Sequence, residues 1–159
     1  MTAVPRCMHQ PRLHRLARIH LKHPLYFVTL CSFERKPILL RPTTHEAFVQ
    51  FCEKGADRGA FVGRYVLMPD HLHLFVTFSL GDISLSDWAK SLKNTLSKSW
   101  CSAGVTAPHW QKGFFDHVMR SADSYDQKWN YVAANPVRAG LAATPEAWPY
   151  QGSIHELHF

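Results

Sequence analysis

Two histidines one residue apart, His71 and His73, sit in the otherwise apolar run Tyr65-Val66-Leu67-Met68-Pro69-Asp70-His71-Leu72-His73-Leu74-Phe75-Val76-Thr77. In an extended chain successive side chains point to opposite faces. His71, His73, Phe75 and Thr77 therefore share one face, and Leu72, Leu74, Val76 and Phe78 share the other. The apolar face calls for a layer of helices, which leaves the histidine face for chemistry. Two imidazoles at this spacing can converge on one cation, with ring nitrogens about 2.0–2.1 Å from a metal such as zinc. Two partly exposed strand histidines give the same spacing without a metal, so spacing alone leaves both readings open.

A second polar group lies on a helix near the C-terminal end. Tyr125, Trp129 and Val132 recur at helical spacing and form its apolar stripe. Tyr131 falls roughly 130° from the centre of that stripe at 100° per residue. Lys128, Tyr131 and Asn135 follow at i, i+3 and i+7 and make one polar edge. An ordinary surface tyrosine with an asparagine before Pro136 has the same pattern. As chemistry, the edge offers a phenol nucleophile. With a reference pKa of about 10, only ~0.1% of a phenol is ionised at pH 7, so it needs an activated target. A divalent ion on His71 and His73 would polarise a phosphodiester. Attack by Tyr131 would then leave a covalent phosphotyrosine, with Asn135 offering an oxygen as third ligand.

The elements that must position these groups are legible in order. Leu25 to Phe33 is rich in β-branched and aromatic residues and reads as a first strand. Thr43 or Thr44 caps a helix whose stripe is Ala47, Phe48, Phe51 and Cys52, ended between Gly55 and Gly59. Phe61 to Leu67 and the histidine run are the next two strands. Ser84 or Ser86 opens a helix with Trp88, Leu92 and Leu96 on one face and Lys90, Lys93 and Lys98 on a solvated one. His109 to Met119 reads as strand around a Lys112-Gly113 turn. Ser121 caps the last helix, which ends at Asn135 because Pro136 cannot continue it. The tail beyond it reads as irregular. The order β-α-β-β-α-β-α predicts an α+β fold of the ferredoxin-like, RNA-recognition-like kind. It has an antiparallel sheet of four to five strands, two helices on one face, and a C-terminal helix carrying the tyrosine.

The 159 residues carry a formal net charge of +6, unevenly spread. Residues 1–41 hold eight basic residues against the single acid Glu34, while the rest of the chain is close to neutral. Such a basic arm suits a polyanionic partner, most often nucleic acid. A solvated tail or a transit peptide has the same composition. The four cysteines form no CxxC pair, which argues against a zinc ribbon and fits reduced thiols in a cytoplasm. No apolar run approaches the ~20 residues of a membrane span.

Three blocks resemble a known family. Tyr65 to His73 is similar to the HUH motif (His, hydrophobic, His) of single-tyrosine transposases. Trp110-Gln111-Lys112-Gly113-Phe114-Phe115-Asp116-His117-Val118-Met119-Arg120 resembles the REP-associated tyrosine transposases in particular. So does Asn130-Tyr131-Val132-Ala133-Ala134-Asn135-Pro136-Val137-Arg138-Ala139-Gly140-Leu141. The resemblance implies a bacterial enzyme of the cytoplasm that cleaves and rejoins single-stranded DNA beside hairpins formed by palindromic repeats. It implies Mg²⁺ or Mn²⁺ as cofactor, His71 and His73 as metal ligands, Asn135 completing the site and Tyr131 as nucleophile. The products would be a 5′-phosphotyrosine and a free 3′-hydroxyl. By the same resemblance His117 and Arg120 contact a phosphate near the site, the alternative being that Asp116 and His117 orient each other at a strand end. Lys128, Arg138 and, in the basic arm, Arg15, Arg18 and Lys22 are candidate DNA-binding residues. For the arm the ground is physical, since each phosphate it neutralises on a single strand adds about −0.7 to the salt slope. Residues 1–24 are then the basic arm, 25–150 one catalytic domain and 151–159 a short tail, in a monomer or homodimer with no membrane partner. Val132-Ala133-Ala134 is smaller than the family pattern leads one to expect. The rival readings are a replication-initiator or relaxase nuclease of the same chemistry, a hairpin-binding protein that no longer cuts, and a metal-free RNA-binding domain.

Overall fold

A computed structural model describes residues 24–79, 81 and 83–158. The basic arm with Arg15, Arg18 and Lys22 lies outside the described residues. The elements are β1 (Leu25–Cys31), α1 (Pro42–Gly55), β2 (Ala60–Leu67), β3 (His71–Phe78), α2 (Leu85–Ser102), β4 (Phe115–Met119), α3 (Ala122–Ala133), α4 (Asn135–Arg138) and β5 (Gln151–Ser153). The five strands form one sheet in the order β4-β1-β3-β2-β5, with every pair antiparallel. Its first four strands have the ferredoxin-like order, and β5 extends the β2 edge.

The alternation along β3 decides what lies on each face. Leu72, Leu74 and Val76 are fully buried beside Phe48 and Cys52 of α1 and Trp88, Leu92 and Leu96 of α2. Truncating one of these leucines to alanine removes transfer energy and leaves a cavity, about 2–5 kcal/mol. Phe75 faces the other way, into a second cluster with Phe27, Val66, Met119, Tyr125 and Val132. Here α3 covers part of the histidine face, seated where β2 shifts register between Val62 and Tyr65. Gly63 lies in that irregularity, and a Cβ there would meet Leu157 Cδ1 at 2.6 Å and the Tyr125 hydroxyl at 3.0 Å. The missing side chain leaves room for Leu157 of the tail and for Tyr125 of α3.

The helix caps follow from the sequence in two of three cases. The Ser84 hydroxyl accepts from the Asp87 amide, and Ser121 with Ser124 forms a reciprocal capping box. At α1 the first residue is Pro42, and Thr44 is buried, where its hydroxyl accepts from Trp100 Nε1 at 2.7 Å. Two expectations are corrected at the C-terminal end. Helix α3 stops at Ala133, and Pro136 stands in the first turn of α4, where its missing N–H is no loss. The tail then returns to the sheet as β5. Trp110 contributes one bridge to Ser32 outside the strands. Among the described residues Cys52 and Cys101 are free thiols, and Cys7 lies outside the described residues. No helix among the described residues is long and apolar enough to cross a membrane.

Candidate active site

His71 and His73 project from β3, the strand paired on both sides in the centre of the sheet. Their rings meet edge to face with centroids 4.7 Å apart. Each imidazole is engaged at Nδ1 by the chain itself. His71 Nδ1 lies 2.7 Å from Asp70 Oδ1, and His73 Nδ1 lies 2.8 Å from Thr29 Oγ1. A carboxylate only accepts, so Nδ1–H of His71 donates to Asp70, and Nε2 is the ring's second nitrogen. The Thr29 hydroxyl can donate to or accept from His73 Nδ1, so the contact holds the ring's orientation with Nε2 as its second nitrogen. An imidazole held at one nitrogen in this way is the usual form of a metal ligand.

Electrostatics keep His73 neutral. Burial, then the charges of His71, Arg35, Lys128 and Arg138, hold the His73 imidazole well below its ordinary range. One face of the ring stacks on Phe27 at 5.3 Å. Burial works against the Asp70 carboxylate, but its hydrogen bond and attraction to His71, with the Arg35 guanidinium, bring its pKa below the ordinary value.

Arg35 enters from a strained turn. Glu34 and Arg35 both adopt left-handed backbone, φ +51° and +59°, a conformation that costs non-glycine residues roughly 1–2 kcal/mol each. The turn sets Arg35 Nε 2.8 Å from Asp70 Oδ2 and places another guanidinium nitrogen 3.0 Å from Cys31 Sγ. Thr29, Asp70 and Arg35 were not singled out from the sequence. Asp70 was open to notice as the residue before His71. Arg35 carries no local signal, because its reach depends on two left-handed residues that are not glycine.

The second half of the site is the α3–α4 corner. Tyr131 is 62% exposed, as the helical stripe predicts, while Tyr125 and Val132 are buried. The Arg138 guanidinium covers the Tyr131 ring at 4.2 Å and donates to the Tyr131 carbonyl at 2.7 Å. It also donates to the Asn135 side-chain oxygen. Asn135, expected as the third metal ligand, thus has its oxygen directed to Arg138. Lys128 reaches back toward the sheet, its ammonium 5.3 Å from the centre of the Phe27 ring that stacks on His73. The two halves therefore meet through Lys128, Phe27 and His73.

His117 is exposed on the same face, opposite Phe27 in the β1–β4 register, and Arg120 is exposed just past the end of β4. Trp110 is tied inward by its indole N–H to Lys93 O and Ser97 Oγ, and Phe114 packs against the core. Lys93 departs from the solvated face expected for α2. Its ammonium donates to the carbonyls of Gln111 and Gly113 at 2.9 and 2.5 Å, and burial brings its pKa down to about 8. It fastens the loop before β4. Among the described residues, no cluster of three or more histidine, cysteine or acidic side chains is arranged to hold a metal. Any ion at the histidine pair would have to draw further ligands from an amide, water or substrate.

A ferredoxin-like sheet with paired histidines on its central strand, beneath a helix presenting an exposed tyrosine, defines the class. The fold recurs in a solved REP-associated tyrosine transposase bound to a REP hairpin. The match has a TM-score of 0.67 and 24% identity, and covers 91% of this chain and 82% of that one. A crystal structure from Deinococcus radiodurans R1, named a transposase with a provisional qualifier, shares the fold more loosely, with TM-score 0.52, 17% identity and coverage of 72% and 92%. No family model matches the chain. By sequence the chain is similar to the REP-associated tyrosine transposase of Escherichia coli K12. The two are 23% identical over 133 residues, spanning 84% of this chain and 78% of the relative. A Haemophilus influenzae protein bearing the same name, with a provisional qualifier, is 24% identical over 151 residues, 84% of this chain and 81% of its own. The resemblance read from the three sequence blocks thus extends over most of the chain.

Proposed function

We propose that this protein is a REP-associated tyrosine transposase that cleaves and rejoins single-stranded DNA beside hairpins. The observation that carries the reading is the histidine pair. Both Nδ1 atoms are engaged by Asp70 and Thr29, under a helix that presents exposed Tyr131 and two cations. A cationic surround with a neutral imidazole suits a phosphodiester better than a cationic or apolar substrate. A hairpin partner is supported by the relative of this fold that was solved with a REP hairpin.

In this reading the Tyr131 oxygen attacks the scissile phosphorus and its proton passes to water. The new bond is phosphorus to tyrosyl oxygen, and the bond that breaks is phosphorus to 3′-oxygen. A 5′-phosphotyrosine and a free 3′-hydroxyl result, and attack by another 3′-hydroxyl reverses the step. Arg138 and Lys128 offset the negative charge that grows on the phosphate oxygens. The His71 and His73 Nε2 atoms are the donors that fit a divalent ion, with the Asn135 oxygen joining once Arg138 turns to the phosphate. Bound there, Mg²⁺ or Mn²⁺ would polarise the phosphodiester. Asp70, Arg35 and Thr29 keep the two imidazoles in the orientation that this requires.

Intact-mass measurement after mixing the protein with hairpin DNA and Mn²⁺ tests the mechanism, with Tyr131→Phe alongside. A DNA-sized mass increase on the wild type only is expected. Binding without any adduct over a panel of palindromes would instead identify a hairpin-binding protein that no longer cuts.

A further inference from the structure

The histidine face extends past the catalytic groups onto β4. Phe115 pairs with Thr29 across β1–β4, and Thr29 pairs with His73 across β1–β3. Phe115, Thr29 and His73 therefore form one row across the sheet. At about 4.7–4.9 Å between neighbouring strands, Phe115 stands roughly 10 Å from His73. Two positions along the same face, Met119 is 2% exposed, yet Phe115 is 36% exposed. Its ring meets that of Phe27 edge to face at 70°, with centroids 6.5 Å apart. The Lys128 ammonium sits over the same Phe27. An exposed aromatic ring and a cation thus flank one buried ring beside the histidine pair.

We propose that Phe115 and Lys128 form a subsite for one unpaired nucleotide flanking the scissile phosphate, the base stacking on Phe115 and its phosphate held by Lys128. The inference rests on the DNA-cleaving function proposed above. The pairing of a π surface with a cation is what selects a nucleotide. An apolar peptide would leave Lys128 facing a greasy contact, whereas a nucleotide supplies a flat base and an anion on one unit. Stacking on an aromatic side chain is tolerant of base identity and contributes about 1–3 kcal/mol per base. The subsite therefore fixes the strand's path into the site more than its sequence. His117, exposed two residues along on the same strand, lies beside Phe115 and extends the surface.

The test is a coupling experiment on the full chain. Binding of a hairpin with single-stranded flanks is measured by fluorescence anisotropy for wild type, Phe115→Leu and Phe115→Trp. A parallel set of DNAs carries one abasic position at a time in the flank. Phe115→Leu is expected to weaken binding to intact DNA on the order of 5- to 150-fold, the stacking energy above converted at 1.4 kcal/mol per tenfold. Phe115→Trp should retain affinity. One abasic position should weaken wild-type binding by a similar factor and cost Phe115→Leu nothing further. An equal loss by Phe115→Leu on intact and on every abasic DNA, or no loss at all, would overturn the subsite. Adduct formation on Tyr131 is read in the same samples. An adduct without coupling removes the subsite and leaves the cleavage reading. Coupling without an adduct does the reverse. Absence of DNA binding by the wild type overturns both.

Discussion

The Thr29 hydroxyl lies 2.8 Å from Nδ1 of His73, across the pairing of β1 with β3. Thr29 is 7% exposed, so this contact is largely out of water. Replacing Thr29 by valine keeps the shape and removes the oxygen that holds His73 Nδ1. Mn²⁺ affinity measured by calorimetry should fall by about 10- to 100-fold, the usual effect of losing such an orienting partner. Unchanged affinity would show that His73 needs no help to present Nε2.

Asp70 and Arg35 act together on His71. Asp70→Asn keeps the volume but offers an amide that can turn its NH₂ toward the ring. Mn²⁺ binding and cleavage should both drop. Arg35→Lys should fall between wild type and Arg35→Ala, because an ammonium restores the charge but not the two-pronged geometry. Equal behaviour of lysine and alanine would reduce Arg35 to a packing role.

Glu34 is exposed and left-handed at φ +51°. Glycine there relieves the backbone strain at some cost in unfolded-chain entropy. Glu34→Gly should raise the midpoint of thermal unfolding by about 1–4 °C and leave cleavage unaltered. A fall in both would mean that the carboxylate itself matters.

His45 supplies the pH dependence of folding away from the site. Its Nε2 lies 2.8 Å from the Tyr65 hydroxyl, and its ring packs near Tyr65 and Tyr150. Burial lowers the His45 pKa below 6.5, and burial, then Cys52 and Glu53, push Tyr65 up to about 12. The phenol therefore donates and the neutral imidazole accepts. As pH falls through 6.5 the unfolded chain takes up a proton before the folded one, so stability declines from 6.5 downward. Urea titrations between pH 7 and pH 5 should show that slope in wild type and a flatter one in His45→Gln.

Trp100 is fully buried and its indole N–H donates to the buried Thr44 hydroxyl at 2.7 Å. Trp100→Phe leaves a cavity and an unmet hydroxyl between α1 and α2. A loss of about 2–4 kcal/mol is expected in urea unfolding at constant slope. A loss below about 1 kcal/mol would mean that the two helices close the gap.

The faces of β3 were legible because period-two alternation depends only on neighbours in sequence, and burial on both sides fixes it. The stripe of Trp88, Leu92 and Leu96 and the exposure of Tyr131 were legible for the same reason at helical period. Pro136 was misread as a stop because proline ends one helix and begins another with equal ease. Strand β5 was missed because Gln151, Gly152 and Ser153 have no strand composition, and only the free edge of β2 recruits them. The burial of Lys93 depends on where the loop after α2 returns. The direction of the Asn135 oxygen is set by Arg138, three residues on and in a helix the sequence did not announce.

The central position of β3 has a kinetic side. Its amides are bonded between β1 and β2, while α3 lies outside the sheet and reaches it mainly through Tyr125, Trp129 and Val132. In hydrogen–deuterium exchange the His71 and His73 amides should open only with global unfolding, and those around Tyr131 through local release of α3. The tyrosine would then carry a tethered DNA end as a passenger on a docked, detachable helix, while the histidines stay behind as the fixed anvil.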